Sequence, residues 1–395
     1  MARALAAGPA GGHRIHARSQ QARLQRCVTP RCAQARLDTV STSAPTSVDS
    51  ATVVELGWRP ASDLRKEYVL GKPGGLGVGS FGSVSLGVNV RTGLQVAVKT
   101  LPKERPRLSR ARVLEKLNRE LTLLERLADS PNSIQLLDWF EDEDNCYLVT
   151  EACLGGDLQQ FSDKYGALSE RCLAEVATEV LKVVRSCHRL GVLHGDVKPA
   201  NFCILQEHVH PYAASPAALH RTPWLKAIDF GCSQLHHRHT RLTKRSGTPV
   251  YMAPEVFRRD YSFEVDVWST GVLLYQLYCR QFPFWHGDSY NRALSLDEVA
   301  QAITEADIRM DFGPWLTMSP QGLDFVRGCL TRNPADRLTI DEALAHPWLQ
   351  AFTAGAGHAG LAGPLVETEL PVGAVANNIV RSPLLQARRD AAMAA

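Results

Sequence analysis

Residues 194–201 read His194-Gly195-Asp196-Val197-Lys198-Pro199-Ala200-Asn201, and the stretches on either side of them decide the fold. Downstream, the short apolar run Leu225–Ile228 leads into Asp229-Phe230-Gly231. Then come Gly247-Thr248-Pro249, Ala253-Pro254-Glu255, and VDVWSTGVLLYQL with Asp266 and Trp268. Farther on, ADRLT supplies Arg337. Upstream lie a glycine-rich stretch and Val96-Ala97-Val98-Lys99. Any one of these is short enough to arise by chance. Their occurrence in a single order from Gly77 to Arg337 is not.

The glycine-rich stretch reads GLGVGSFGSVSLG, with Gly77, Gly79 and Gly82 spaced G-x-G-x-x-G and Val84 following. Glycines let the backbone approach a phosphate closely. A dinucleotide-binding loop would open a helix. Here SVSLGVNV, a turn at Arg91–Gly93 and LQVAVKT follow instead. These are two alternating, β-branched runs joined as a hairpin. Lys99 ends the second run, where an unpaired charge is costly to bury. Next, ARVLEKLNRELTLLERL carries Leu114, Leu117, Leu121 and Leu124 at helical spacing. Glu120 lies beside that stripe and is the first choice as partner of Lys99, with Glu115 and Glu125 as competitors. Cys146–Thr150 reads as a strand leading to Glu151, Ala152 and Cys153, then to Gly155-Gly156.

The ordered set resembles the eukaryotic-type protein kinases over roughly residues 66–350. Val96–Lys99 resembles V-A-I-K and residues 194–201 resemble H-R-D-x-x-x-x-N. FEDEDNCYLV, GGDL, HRLGVLH and PFW are similar to the calcium/calmodulin-regulated and plant calcium-dependent group. The resemblance implies an α+β, bilobal fold. A small β-rich N-lobe with one main helix would cover 66–152, and a larger, mostly helical C-lobe 153–350. It implies ATP- and Mg²⁺-dependent in-line phosphorylation of serine or threonine in protein substrates. Gly77, Val78, Gly79, Ser80, Phe81, Gly82, Val84, Ala97 and Lys99 would hold ATP, with Lys99 placed by Glu120. Thr150, Glu151, Cys153 and Cys203 would surround adenine, Thr150 as a small gatekeeper. Asn201 and Asp229 would bind Mg²⁺. Asp196 would orient the substrate hydroxyl and Lys198 would neutralise charge on the moving phosphoryl group. Arg337 would pair with Glu255.

Composition sets the outer bounds. The chain has 395 residues, 45% apolar and 22% charged, enough for a sizeable core. A net charge of +3 argues against a nucleic-acid partner. No apolar run reaches the roughly 18 residues of a membrane span. The ten cysteines show no metal or redox spacing and read as reduced thiols. Residues 1–52 hold seven arginines and reach their first acid at Asp38. That fits a transit peptide, to a chloroplast first and a mitochondrion second, or else a disordered basic segment in a cytoplasmic protein. Cys27 and Cys32 would leave with a cleaved leader. Residues 206–223 read as a surface insertion, and 351–395 as a flexible Ala/Gly-rich tail.

One departure concerns Gly195, where the family has arginine. His-Gly-Asp is also how aminoglycoside and choline kinases write this loop, so a small-molecule kinase is one alternative. Those families lack Lys198, Gly247-Thr248-Pro249 and Ala253-Pro254-Glu255. A pseudokinase scaffold is another alternative, opposed by the presence of Lys99, Asp196 and Asp229. No calcium loop of the D-x-[DN]-x-[DN]-G type follows the domain, so no calcium sensor is expected. By resemblance to basophilic kinases, Asp157 would read an arginine at minus three, and Ala200 and Gln276, standing where some relatives have acids, imply weak selection at minus two. His236, His237 and His239 read as a solvated polar run, and Cys232 as a buried thiol. Without an arginine at 195, activity is expected not to require activation-segment phosphate. Oligomeric state is not legible.

Overall fold

The computed structural model describes residues 57–79, 82–106, 108–205, 223–285 and 294–353. The expected leader, nearly all of the 206–223 insertion and the tail beyond 353 lie outside the described residues, as do Ser80 and Phe81.

The first half of the domain is a sheet with a helix against it. In chain order it contains β1 (Arg59–Pro60), α1 (Ala61–Glu67), β2 (Tyr68–Leu70), β3 (Gly77–Gly79), β4 (Gly82–Asn89) and β5 (Gln95–Pro102). Helix α2 (Arg110–Arg126), β6 (Leu136–Glu141) and β7 (Asn145–Glu151) complete it. The strands run in the order β1-β6-β7-β5-β4-β2, with β3 also on β4. All pairings are antiparallel except β1 with β6. The period-two alternation around Val96 and Val98, both buried, drives this arrangement, and Leu101 is buried beyond it, out of that phase. On α2, Leu117, Leu121 and Leu124 face the core as their three- and four-residue spacing requires. Ser109 caps its first turn through Arg112 N–H. The packed unit begins before residue 66, because β1 and α1 already lie on the sheet.

The second half is mostly helical. Helices α3 (Leu158–Tyr165) and α4 (Glu170–Arg189) precede four short strands, β8 (Val192–Leu193), β9 (Phe202–Ile204), β10 (Leu225–Ala227) and β11 (Gln234–Leu235). After them come α5 (Pro254–Arg258), α6 (Glu264–Cys279), α7 (Leu296–Glu305), α8 (Pro320–Cys329), α9 (Ile340–Ala345) and α10 (Pro347–Thr353). Helix α6 is apolar on nearly every side and is buried from Val265 to Tyr278, so it forms the post around which the others pack. The architecture is the α+β bilobal protein kinase fold, with α2 as the main helix of the smaller lobe.

Candidate active site

The glycine-rich stretch is a β-hairpin rather than a strand-to-helix turn. Gly77 faces Val84 and Gly79 faces Gly82 across β3 and β4. Val84 in turn faces Lys99, and Ala97 faces Thr150 on the next strand pair. Val84, Ala97, Lys99 and Thr150 therefore line one stretch of sheet, with Glu151 ending β7 and Cys153 just past it. Cys203 lies on β9 and is half-buried. Burial pushes the Cys153 thiol up to about 12 and that of Cys203 well above its usual value.

Lys99 Nζ lies 2.6 Å from Glu120 Oε1 and 3.6 Å from Asp229 Oδ1. Burial alone disfavours the lysine charge. Glu120 and Asp229 outweigh it and hold the pKa of Lys99 above the ordinary value. Burial likewise works against the Asp229 carboxylate, but Lys99 and the Gly231 N–H bond overcome it and lower its pKa. Both groups are therefore charged at neutral pH. Of the three candidate glutamates, Glu120 alone pairs with Lys99. Glu115 pairs instead with Arg119 on the helix surface.

Asp196 is 7% exposed and each of its oxygens is committed. Oδ1 accepts from Thr248 N at 2.8 Å. Oδ2 accepts from Lys198 Nζ at 2.7 Å and from Asn201 Nδ2 at 3.0 Å. Lys198 Nζ also donates to Thr248 Oγ1 at 2.8 Å. The amide nitrogen of Asn201 thus faces Asp196, which leaves its oxygen as the acceptor for another ligand. An amide oxygen on Asn201 and an ionised carboxylate on Asp229 form a hard oxygen donor set suited to Mg²⁺.

The loop carrying Asp196 is held from below by Asp266, a fully buried residue of α6. Its carboxylate accepts from His194 N at 3.0 Å, Gly195 N at 2.9 Å and the ring of His188 at 2.9 Å. Burial opposes ionisation of Asp266, but the His188 bond and charge, His194 and the Gly195 N–H together outweigh it, so its pKa is lowered. Gly195 takes φ +72°, a left-handed conformation that glycine adopts without strain. A Cβ there would meet Cys232 O at 3.2 Å. Gly247, at φ +106°, brings its backbone against Gly195 O, where a Cβ would sit at 2.3 Å. A side chain is thus excluded at 247 and strained at 195.

Residues 232–248 are fastened to the larger lobe largely by neutral bonds. Ser233 Oγ donates to His194 O at 2.7 Å. Strand β11 pairs with β8, and His236 N donates to Gly191 O. Leu242 and Tyr261 exchange backbone bonds, and Tyr261 OH donates to Lys244 O at 2.5 Å. Arg241 pairs with Asp260. The expectation of a solvated histidine run holds for His237 and His239 but is corrected for His236. That ring is 3% exposed, sits 2.8 Å from Ser262 Oγ and packs on Phe263. A buried position beside β11 claims it, which helical or strand periodicity in the short run does not reveal. Cys232 is half-buried, and burial pushes its thiol up to about 11.

Three contributors were given no role in the sequence reading. His188 and Asp266 position the catalytic loop. Lys226, 6% exposed on β10, pairs with Glu151 at the end of β7 and so ties the two lobes together behind the site. The one sequence feature that marks it is a lysine inside the apolar run before Asp229. Remote from these, Arg337 makes a two-pronged pair with Glu255, at 2.6 and 3.0 Å.

Comparison with known proteins agrees with this fold. The family described as protein kinase domain matches residues 72–349. Calcium-dependent protein kinase 34 of Arabidopsis thaliana is 35% identical over 308 residues, 78% of this chain and 54% of that protein. Calcium-dependent protein kinase 8 of Oryza sativa subsp. japonica is 39% identical over 287 residues, 73% of this chain and 49% of that protein. The chain spans about half the length of the curated relatives it matches. With the match covering more than half of its residues, and with the bilobal fold around it, the chain belongs to the protein kinase domain family.

Proposed function

We propose that this chain transfers the γ-phosphoryl group of ATP to serine or threonine hydroxyls of protein substrates. The observation that carries this reading is the pair of side-chain constellations, Lys99–Glu120–Asp229 and Asp196–Lys198–Thr248, near enough that the Lys198 charge acts on Asp229. Mg²⁺ bound with ATP would neutralise phosphate charge, and Asn201 and Asp229 have the donor chemistry to hold it. Lys99 grips phosphate oxygens as a fixed cation. Asp196, its carboxylate held in place by Thr248 and Lys198, orients the attacking hydroxyl and receives its proton. Lys198 offsets charge that builds up during transfer. Positioning and electrostatics supply most of the rate in such a site. Purified protein with Mg·ATP and a generic protein acceptor tests the reading. Absence of acceptor phosphorylation at any enzyme concentration would reject it.

Two finer readings accompany it. The first is selection of arginine three residues before the phosphorylated hydroxyl, with Asp157 as the reader; it is supported by the acid's position at the start of α3, just past Gly155-Gly156. The second is delivery to a plastid by residues 1–52, supported by their arginine-rich, acid-poor composition. A fluorescent fusion carrying only Met1–Ala51 tests that delivery, and a diffuse cytosolic signal would reject it.

A further inference from the structure

The segment ahead of the glycine-rich hairpin is fastened at both of its flanks. Arg59 and Pro60 pair in parallel with Phe140 and Glu141 on β6. The Arg59 guanidinium reaches Asp138 and Glu67 and lies over the Phe140 ring at 4.6 Å. Just before them, Gly57 O accepts from Nε1 of Trp139, a fully buried side chain of β6, at 3.1 Å. Trp58 then turns to the other side. Its ring packs partly buried against the main apolar core, and its Nε1 donates to Asn118 Oδ1 at 3.3 Å. Asn118 belongs to α2 and stands two residues ahead of Glu120.

Elsewhere α2 is held directionally near its two ends, where Arg110 donates to Glu143 O at 2.8 Å and Arg126 to Leu190 O at 2.7 Å, and between them by apolar packing. Its inward face is leucine and valine. Apolar contact of that sort is non-directional and does little to resist a small rotation or slide of the helix. A 2.6 Å ion pair does not survive such a movement. The Trp58–Asn118 bond is directional and acts within one helical turn of Glu120, from a segment itself anchored on β6.

We infer that Trp58 is a positioning residue: by holding Asn118 it fixes the rotation of α2 and keeps Glu120 on Lys99. The inference rests on the kinase reading above. Residues 57–67 thereby form a strap that couples the β6 edge of the sheet to the one helix whose placement completes the site. Loss of the strap would leave the fold standing and the Lys99–Glu120 pair intermittently broken.

The test uses the full chain with Trp58→Ala, Trp58→Phe and Asn118→Ala. Deuterium uptake over Val113–Leu124 is read alongside kcat, KM for ATP and the thermal midpoint. Trp58→Ala and Asn118→Ala should raise uptake selectively in α2 and lower kcat by about tenfold, with KM for ATP moving less than kcat. Trp58→Phe, which keeps an aromatic ring but loses the donor, should fall between them and wild type. Should Trp58→Ala not fold, Asn118→Ala decides, since it removes only the acceptor. Wild-type uptake and kcat in Asn118→Ala would overturn the inference. So would uptake rising equally in every element, which would mark a purely structural role. If wild-type protein transferred no phosphate, the kinase reading would fail, and uptake in α2 would still decide whether the strap holds the helix.

Discussion

Lys99 on β5 and Glu120 on α2 stand 21 positions apart in sequence and 2.6 Å apart in the fold, with Asp229 closing the group at 3.6 Å. The smaller lobe is thus joined to the larger one through a charge relation and not through packing alone. Lys99→Met, Glu120→Gln and Asp229→Asn should each lower phosphotransfer at least a hundredfold, about 2.7 kcal/mol of transition-state stabilisation. Circular dichroism and the thermal midpoint should show the fold retained. Near-wild-type turnover in folded Lys99→Met would contradict the proposed role.

Residue 195 bears on regulation. An arginine there would be an unpaired cation beside Asp196 until a phosphate on the activation segment paired with it. Gly195 offers no such cation, and the segment is already fastened by Tyr261, His236 and Ser233. Replacing Thr240, Thr243 and Ser246 by alanine, singly and together, should leave turnover within about fivefold of wild type, under 1 kcal/mol. Phosphatase-treated wild type should behave the same. A hundredfold loss would show that another basic residue receives a phosphate.

The carboxylate of Asp157 accepts from Gln160 N at 2.8 Å and so caps α3. Alanine there would confound substrate selection with the loss of a cap worth about 1 kcal/mol. Asparagine caps as well as aspartate and removes only the charge. Asp157→Asn should therefore keep the thermal midpoint and lose any preference for arginine at minus three in a peptide array. A wild-type profile indifferent to that position would dismiss the assignment.

Arg337 and Glu255 are almost wholly buried, and the guanidinium lies over Trp268 at 5.2 Å. Removing one partner leaves the other charge unpaired. Arg337→Met should cost about 3–5 kcal/mol of unfolding free energy in a urea titration. A loss below about 1 kcal/mol, within the range of an exposed pair, would show that water reaches the site.

Asp138 carries a pH signature. Burial raises its pKa to about 6, against the opposing pull of Arg59. Because that value exceeds the ordinary carboxylate pKa, the native chain holds more protons than the unfolded one between about pH 4 and pH 6. Stability from this group therefore falls as pH rises through that window and is level above it. Asp138→Asn removes the slope. Its stability relative to wild type should climb from pH 4 to pH 6 by at most about 3 kcal/mol, at 1.36 kcal/mol per unit. A flat difference would place the native pKa of Asp138 at its ordinary value.

The sequence by itself determined what depends on near neighbours. The alternation around Val96 and Val98, the leucine spacing of α2 and the glycine hairpin are local matters, because strand and helix periods are set within a few residues. The order of the short motifs from Gly77 to Arg337 was enough to indicate the fold and to nominate Lys99, Asp196, Asn201 and Asp229. Tertiary structure brought Glu120, the acid the sequence favoured, and not Glu115 or Glu125 onto Lys99, because the three differ in which face of α2 they occupy. It also placed His236 in the interior, set Asp266 beneath two backbone N–H groups, paired Lys226 with Glu151 and laid Trp58 against α2. Each of these joins groups that are separated along the chain. Their pairing is fixed by desolvation and by the angles at which elements pack, and neither quantity is written in the spacing of residues along one strand or helix.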